Sequence, residues 1–154
     1  MFAGGEISGV VIRKFTEFRD QRGWLSELYR TDEAGEYRAA MAYLSVTNPG
    51  LTRGPHEHKD QTDYFCFMGT FTLSLWDNRK ESATYGKKMV IENADRMIVV
   101  VPPGVVHAYR NSGKDEGIVL NFPDRLYAGW GKKEKVDEVR YENDAESPFK
   151  IEQK

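Results

Sequence analysis

Seven short apolar runs, separated by turn residues, constrain this chain more than any other feature: Val10 to Phe15, Met41 to Val46, Tyr64 to Met68, Phe71 to Trp76, Lys88 to Glu92, Met97 to Val101 and Gly117 to Phe122. They are short for helices, and their β-branched and aromatic content suits strands. The breaks between them are turn chemistry: Asn48-Pro49-Gly50, Arg53-Gly54-Pro55, Met68-Gly69-Thr70, Tyr85-Gly86, Pro102-Pro103-Gly104 and Asn111-Ser112-Gly113. Spacing this regular predicts an all-β chain built as an antiparallel sandwich or barrel. The one helical expectation is a turn or two over Asp32 to Ala40, capped by Asp32 and carrying Ala34, Tyr37 and Ala40. No repeat, low-complexity tract or linker divides the 154 residues, so a single domain over 1–154 is expected. It would have an N-terminal strand and a charged C-terminal arm, 131–154, anchored by Tyr141 and Phe149.

Lys and Arg total 22 against 24 Asp and Glu, so no net positive field draws a nucleic-acid backbone, and nucleic acid is not expected as a partner. The one cysteine, Cys66, sits in an apolar run; it excludes an internal disulfide and reads as a small buried hydrophobe. The start of the chain has neither the basic nor the apolar region of an export signal, and no apolar stretch is long enough to span a bilayer. A cytoplasmic protein without a membrane partner is the expectation.

Two spaced patterns hold all three histidines. In the first, Gly50 is followed after five residues by His56-Glu57-His58, after four more by Asp63, and after a further five by Gly69. In the second, Pro102-Pro103-Gly104-Val105-Val106-His107 is followed after three residues by Asn111. Residues two apart on a strand share a face, so His56 projects with His58, and His107 with Tyr109 and Asn111. If the two strands face one cavity, the three imidazoles converge. The patterns resemble the two motifs of the cupins, small double-stranded β-helix (jelly-roll) barrels, with Asp63 in place of a glutamate and Arg96 where the second motif opens with glycine. On the residues alone, His56, His58, Asp63 and His107 could hold one divalent metal ion.

The flanking segments bear a second resemblance. Asp20-Gln21-Arg22-Gly23-Trp24-Leu25-Ser26-Glu27, Arg53-Gly54-Pro55-His56, the run from Arg79 to Gly86, Pro103 to Ala108, and Glu142 to Phe149 follow in order the motifs of the dTDP-4-dehydrorhamnose 3,5-epimerase family, which the chain resembles from about Gly9 to Ile151. The resemblance implies a homodimer that acts without a metal or other cofactor on a dTDP-4-keto-6-deoxy sugar, in deoxysugar or cell-surface polysaccharide biosynthesis. A histidine base would remove the proton alpha to the ketone, and a tyrosine would return one to the other face. Carried over by position, His56 is the base, Arg53 and His107 hold the sugar or its phosphate, and Arg22 with Glu27 contacts the nucleotide. His58 joins the substrate-binding set.

The departures from that family are specific. The place of its catalytic tyrosine falls at Leu120, beside Asn121, and that of its active-site lysine at Thr62. The segment carrying the aspartate that pairs with its base has no counterpart after Phe149. Asp63 could orient an imidazole in its stead, and Tyr109 or Tyr64 could supply the acid. Trp24 would stack on a base or cover the core, Trp76 and Trp130 read as structural, and Gly131 to Lys135 as a solvated loop. Three functions stay open at this point: an epimerase or ketoisomerase of a 4-keto sugar nucleotide, a metal-dependent cupin enzyme, and a sugar-nucleotide-binding cupin without catalysis.

Overall fold

The computed structural model describes residues 2–151. Its strands are β1 (Ala3–Gly4), β2 (Val11–Lys14), β3 (Phe18–Asp20), β4 (Gly23–Leu25), β5 (Tyr43–Thr47), β6 (Thr52–Glu57), β7 (Asp63–Met68), β8 (Phe71–Asp77), β9 (Lys87–Ile91), β10 (Met97–Val101), β11 (Val105–Asn111), β12 (Gly117–Asn121) and β13 (Val139–Arg140). They form a six-stranded sheet, β1-β9-β8-β11-β6-β13, a five-stranded sheet, β2-β10-β7-β12-β5, and a separate β3-β4 hairpin. Apart from the parallel β1–β9 contact, the pairings are antiparallel. This is the expected all-β cupin architecture.

Alternation along the strands separates core from cover. Phe65 and Phe67 of β7, Leu73 and Leu75 of β8, Val99 and Val101 of β10, and Val105 and Tyr109 of β11 meet in one buried cluster. The intervening residues of β7, Tyr64 and Cys66, pack instead with Leu28, Tyr29, Tyr37 and Phe122. Cys66 is thus the buried hydrophobe its neighbours suggested, and burial pushes its thiol up to about 12. On the opposite side Trp76, Val106 and Ala108 are covered by Tyr141 and Phe149, so the C-terminal arm is anchored as anticipated.

The helix expected over Asp32 to Ala40 does not form; the segment is a series of turns. Gly35 adopts a φ of +60°, which a right-handed helix cannot contain. The Tyr37 hydroxyl donates to the carbonyl of Phe122, and its ring stacks on Tyr64. Tertiary packing outweighs the weak propensity of so short a stretch.

The Arg79 to Gly86 motif has a structural task. The buried Asp77 carboxylate accepts from Arg79 Nε at 2.8 Å, Ser82 Oγ at 2.7 Å and Thr84 Oγ1 at 2.5 Å. These bonds hold that carboxyl well below the usual carboxylate range against the opposing effect of burial, and fasten the β8–β9 connection. No described helix is long and apolar enough to cross a membrane.

Candidate active site

The site begins where β6 and β11 pair. His56 lies opposite His107, and Arg53 opposite Tyr109, with a register shift between the two positions. On a regular strand residues three apart face opposite ways, and the shift lets Arg53 and His56 line the same cavity. Gly54 makes this possible. Its φ is +81°, and a Cβ there would stand 2.5 Å from the His107 carbonyl oxygen, so any larger residue would force the two strands apart.

The three imidazoles converge as the spacing anticipated. Ring centroids lie 4.4 Å apart for His56 and His107, 5.5 Å for His56 and His58, and 5.8 Å for His58 and His107. Asp63, at the start of β7 in the facing sheet, reaches them from across the barrel. Its Oδ2 is 3.2 Å from His58 Nε2 and 3.3 Å from His107 Nε2. Its Oδ1 accepts from Gln61 Nε2 at 2.8 Å and from Asn121 Nδ2 at 2.7 Å. The other ring nitrogens of two imidazoles meet backbone: His58 Nδ1 contacts the carbonyl of Asp137, and His107 Nδ1 that of Val105 at 3.1 Å.

Burial and neighbours set the charges. Burial drives the His56 pKa down, and the nearby His107 and His58 reinforce it, to about 2. Burial likewise lowers His107. For His58 burial acts against the charge but is outweighed by the Asp63 carboxylate and by Asp137, which raise it to about 9. Asp63 is fully buried, yet His58 and His107 hold it at about 2. Near neutral pH the cluster therefore pairs one carboxylate with one imidazolium, His58, and leaves His56 neutral and able to accept a proton. Two carboxylates from the C-terminal arm flank that base: Glu138 Oε1 is 3.9 Å from His56 Nε2, and Glu142 Oε1 is 3.9 Å from Nδ1. They stand ready to stabilise the imidazolium once it forms.

His56 and His58 of this cluster line a cavity of about 1420 Å³ with walls from both sheets. Its walls include Tyr43 and Ser45 of β5, Arg53, Tyr109, and the segment from Pro123 to Glu138. Arg53 is fixed there by bonds from Nε to Thr47 Oγ1 at 3.0 Å and from Nη2 to the Val46 carbonyl at 2.8 Å. The Tyr109 ring is packed among Phe65, Phe67 and Phe71, and its hydroxyl lies 3.3 Å from Ser45 Oγ.

The structure therefore brings together His56, His58, Asp63, His107, Arg53 and Tyr109. Arg22 and Glu27 do not line the cavity. Both lie apart from it, in and just after the exposed β3–β4 hairpin, where Arg22 pairs with Asp20 at 2.5 Å and Glu27 with Arg30 at 3.1 Å. Trp24, on the same hairpin, is exposed and covers no core. One structural expectation needs correction: Trp130 is 83% exposed and lines the cavity rim. Gly131 to Lys135 are exposed as a solvated loop would be, and Gly131, Lys132 and Lys135 line that rim as well. The carbonyl of Asp137, which meets His58, and the carboxylates of Glu138 and Glu142, which flank His56, come from an arm without periodicity, so nothing in the sequence aimed them at the histidines. Tyr43 and Asn121 were findable, because each falls on the inward parity of its strand, with Ser45 and Val119 respectively.

Comparisons with known proteins agree with this geometry. The family model described as dTDP-4-dehydrorhamnose 3,5-epimerase matches residues 5–137. The probable low-salt glycan biosynthesis epimerase Agl13 of Haloferax volcanii is 32% identical over 126 residues, covering 79% of this chain and 81% of the relative. The spore coat polysaccharide biosynthesis protein SpsL of Bacillus subtilis is 32% identical over 124 residues, covering 79% and 82%. The crystal structure of a dTDP sugar isomerase from Desulfovibrio desulfuricans G20 superposes with a TM-score of 0.77 at 19% identity, covering 90% of this chain and 87% of that one.

Proposed function

This chain belongs to the dTDP-4-dehydrorhamnose 3,5-epimerase family, and on that footing we propose that it inverts a carbon alpha to the ketone of a dTDP-linked 4-keto-6-deoxy sugar, with His56 as base. The observation that carries this reading is a neutral, half-buried imidazole lining a large cavity, with carboxylates 3.9 Å from both of its nitrogens. His56 removes the α proton, the electron pair moves onto the ketone oxygen, and Glu138 and Glu142 stabilise the imidazolium. Arg53 binds the diphosphate or the sugar through its planar donor fork. Asp63 holds His58 and His107 in place and has no direct part in the chemistry. This reading requires no cofactor. Incubated in D2O with dTDP-4-keto-6-deoxyglucose, the protein is expected to wash deuterium into the carbon beside the carbonyl. Absence of exchange with several 4-keto sugar nucleotides would remove the assignment.

One observation favours a second reading. Among the described residues, the buried Asp63 Oδ2, His107 Nε2 and His56 Nδ1 have no well-aligned hydrogen-bond partner, and the ligand atoms of His56, His58 and His107 lie within 4.8 Å of one another. The Nδ1 contacts of His58 and His107 with carbonyls, and the amides on Asp63 Oδ1, are the outer-shell arrangement that orients metal ligands. The donor set fits a divalent transition ion, which would supply Lewis acidity to the ketone. Near-stoichiometric metal in the purified protein, together with no exchange after its removal, would favour this reading over the first.

The protein works as a homodimer in this proposal, assembled through the barrel sheets. The edge strand β2 exposes Val11 and Ile12 and offers an unpaired backbone edge to a second copy. Light scattering at micromolar concentration should return twice the chain mass of 17.7 kDa, and a monomer would refute the assembly. A cytoplasmic location accords with a soluble nucleotide-sugar substrate.

A further inference from the structure

Epimerisation by this route needs two groups on opposite faces of a planar enolate, one to take a proton and one to give it. His56 belongs to the six-stranded sheet, so the acid must present itself from the other wall. Asn121, inward-facing and buried on β12, has amide protons that it can share in hydrogen bonds but none acidic enough to transfer to carbon. Directly across the β5–β12 pairing from Asn121 stands Tyr43. Its hydroxyl accepts from Asn121 Nδ2 at 3.0 Å, and the same amide donates to Asp63 Oδ1 at 2.7 Å. Tyr43 lines the cavity and keeps 41% of its surface exposed.

We propose that Tyr43 is the catalytic acid, returning a proton to the enolate carbon on the face opposite His56. This rests on the epimerase reading above. Because Asn121 Nδ2 points at the phenol oxygen, the hydroxyl proton is free to turn elsewhere, and the donated bond steadies the phenolate that remains. Burial and the Asp63 charge raise the Tyr43 pKa above the ordinary tyrosine range, so the group is protonated before each turnover. In the step itself the Tyr43 O–H bond breaks, a C–H bond forms at the α carbon, and the enolate electron pair re-forms the ketone. The phenolate then takes a proton from water at the cavity mouth, and the His56 imidazolium loses its own to solvent. The competing tyrosine, Tyr109, is 4% exposed and wedged in the aromatic core, where its hydroxyl meets Ser45.

Tyr43→Phe keeps the ring and removes only the hydroxyl. With dTDP-4-keto-6-deoxyglucose in D2O, net epimerisation should fall at least 100-fold. Deuterium exchange with retained configuration, which needs only His56, should stay within a few-fold of wild type. A purely structural role through Asn121 and Asp63 would depress both together. Tyr109→Phe should epimerise within about tenfold of wild type. The assignment fails if Tyr43→Phe epimerises normally, if it loses exchange and epimerisation in parallel, or if Tyr109→Phe is the variant that loses inversion. A wild type that shows neither reaction removes the epimerase reading and this assignment with it.

Discussion

Replacing His56 by asparagine should slow deuterium wash-in alpha to the ketone by about 10²–10⁴-fold, the range that a positioned general base contributes. Asparagine is close to imidazole in size and can still hydrogen-bond, but it cannot carry a proton away. His58→Asn should retain most of the exchange, because His58 is already an imidazolium held by Asp63 and Asp137. A metal site would respond differently, losing its ion in both variants. The pH profile adds a second check. With the His56 pKa depressed to about 2, kcat/KM for the free enzyme should not fall on acidification through about 6.5, where an ordinary histidine base is protonated. A group that resists protonation so strongly is a weak base, and the Asp63 carboxylate is the largest influence that favours its protonated form. Exchange unchanged in His56→Asn, or a profile that breaks near 6.5, would transfer the role of base to another residue.

Much of this site was legible because the strands alternate strictly. His56 with His58, and His107 with Tyr109, were assigned to shared faces by parity alone; His56, His58 and Tyr109 line one cavity, and His107 lies buried against His56. Arg53 is a harder case, since parity puts it on the face opposite His56. Family likeness assigned it to the same site as His56, and the reason both line one cavity lies in the register shift at Gly54. Parity puts Tyr43 on the inward face of β5 but does not show what it meets there. A search for an acid along the β12 sequence finds Leu120 and Asn121, whereas the hydroxyl sits one strand away, across a cross-strand pair that no single sequence displays. The arm from Gly131 onward read as charged and unpatterned. Its anchors Tyr141 and Phe149 could be recognised from their hydrophobicity, but the aim of Glu138 and Glu142 depends on β13 pairing with β6. Long-range pairing of that kind leaves no periodic mark.

Asp63→Ala should cost about 3–5 kcal/mol of stability, the usual result of removing one partner of a buried ion pair. In a chain of this size that lowers Tm by roughly 10 °C. The cost has identifiable sources: the Gln61 and Asn121 amides lose their acceptor, and the largely enclosed His58 imidazolium loses its counter-charge. Linkage gives the loss a signature in pH. Asp63 is depressed in the folded protein to about 2, below its unfolded value of about 3.9, so its contribution is complete above that unfolded value and disappears as pH falls through the folded one. His58 is raised to about 9, above its unfolded value of about 6.5, so its contribution is complete below 6.5 and is lost as pH climbs through 9. The wild type should therefore become less stable between about pH 6.5 and 9, and Asp63→Ala, already lacking the pair, should be nearly flat across that window. Denaturant titrations at pH 6.5 and pH 9 measure both effects. A variant within 1 kcal/mol of wild type at pH 6.5, or one that keeps the full alkaline slope, would show that the carboxylate does not hold this cluster together.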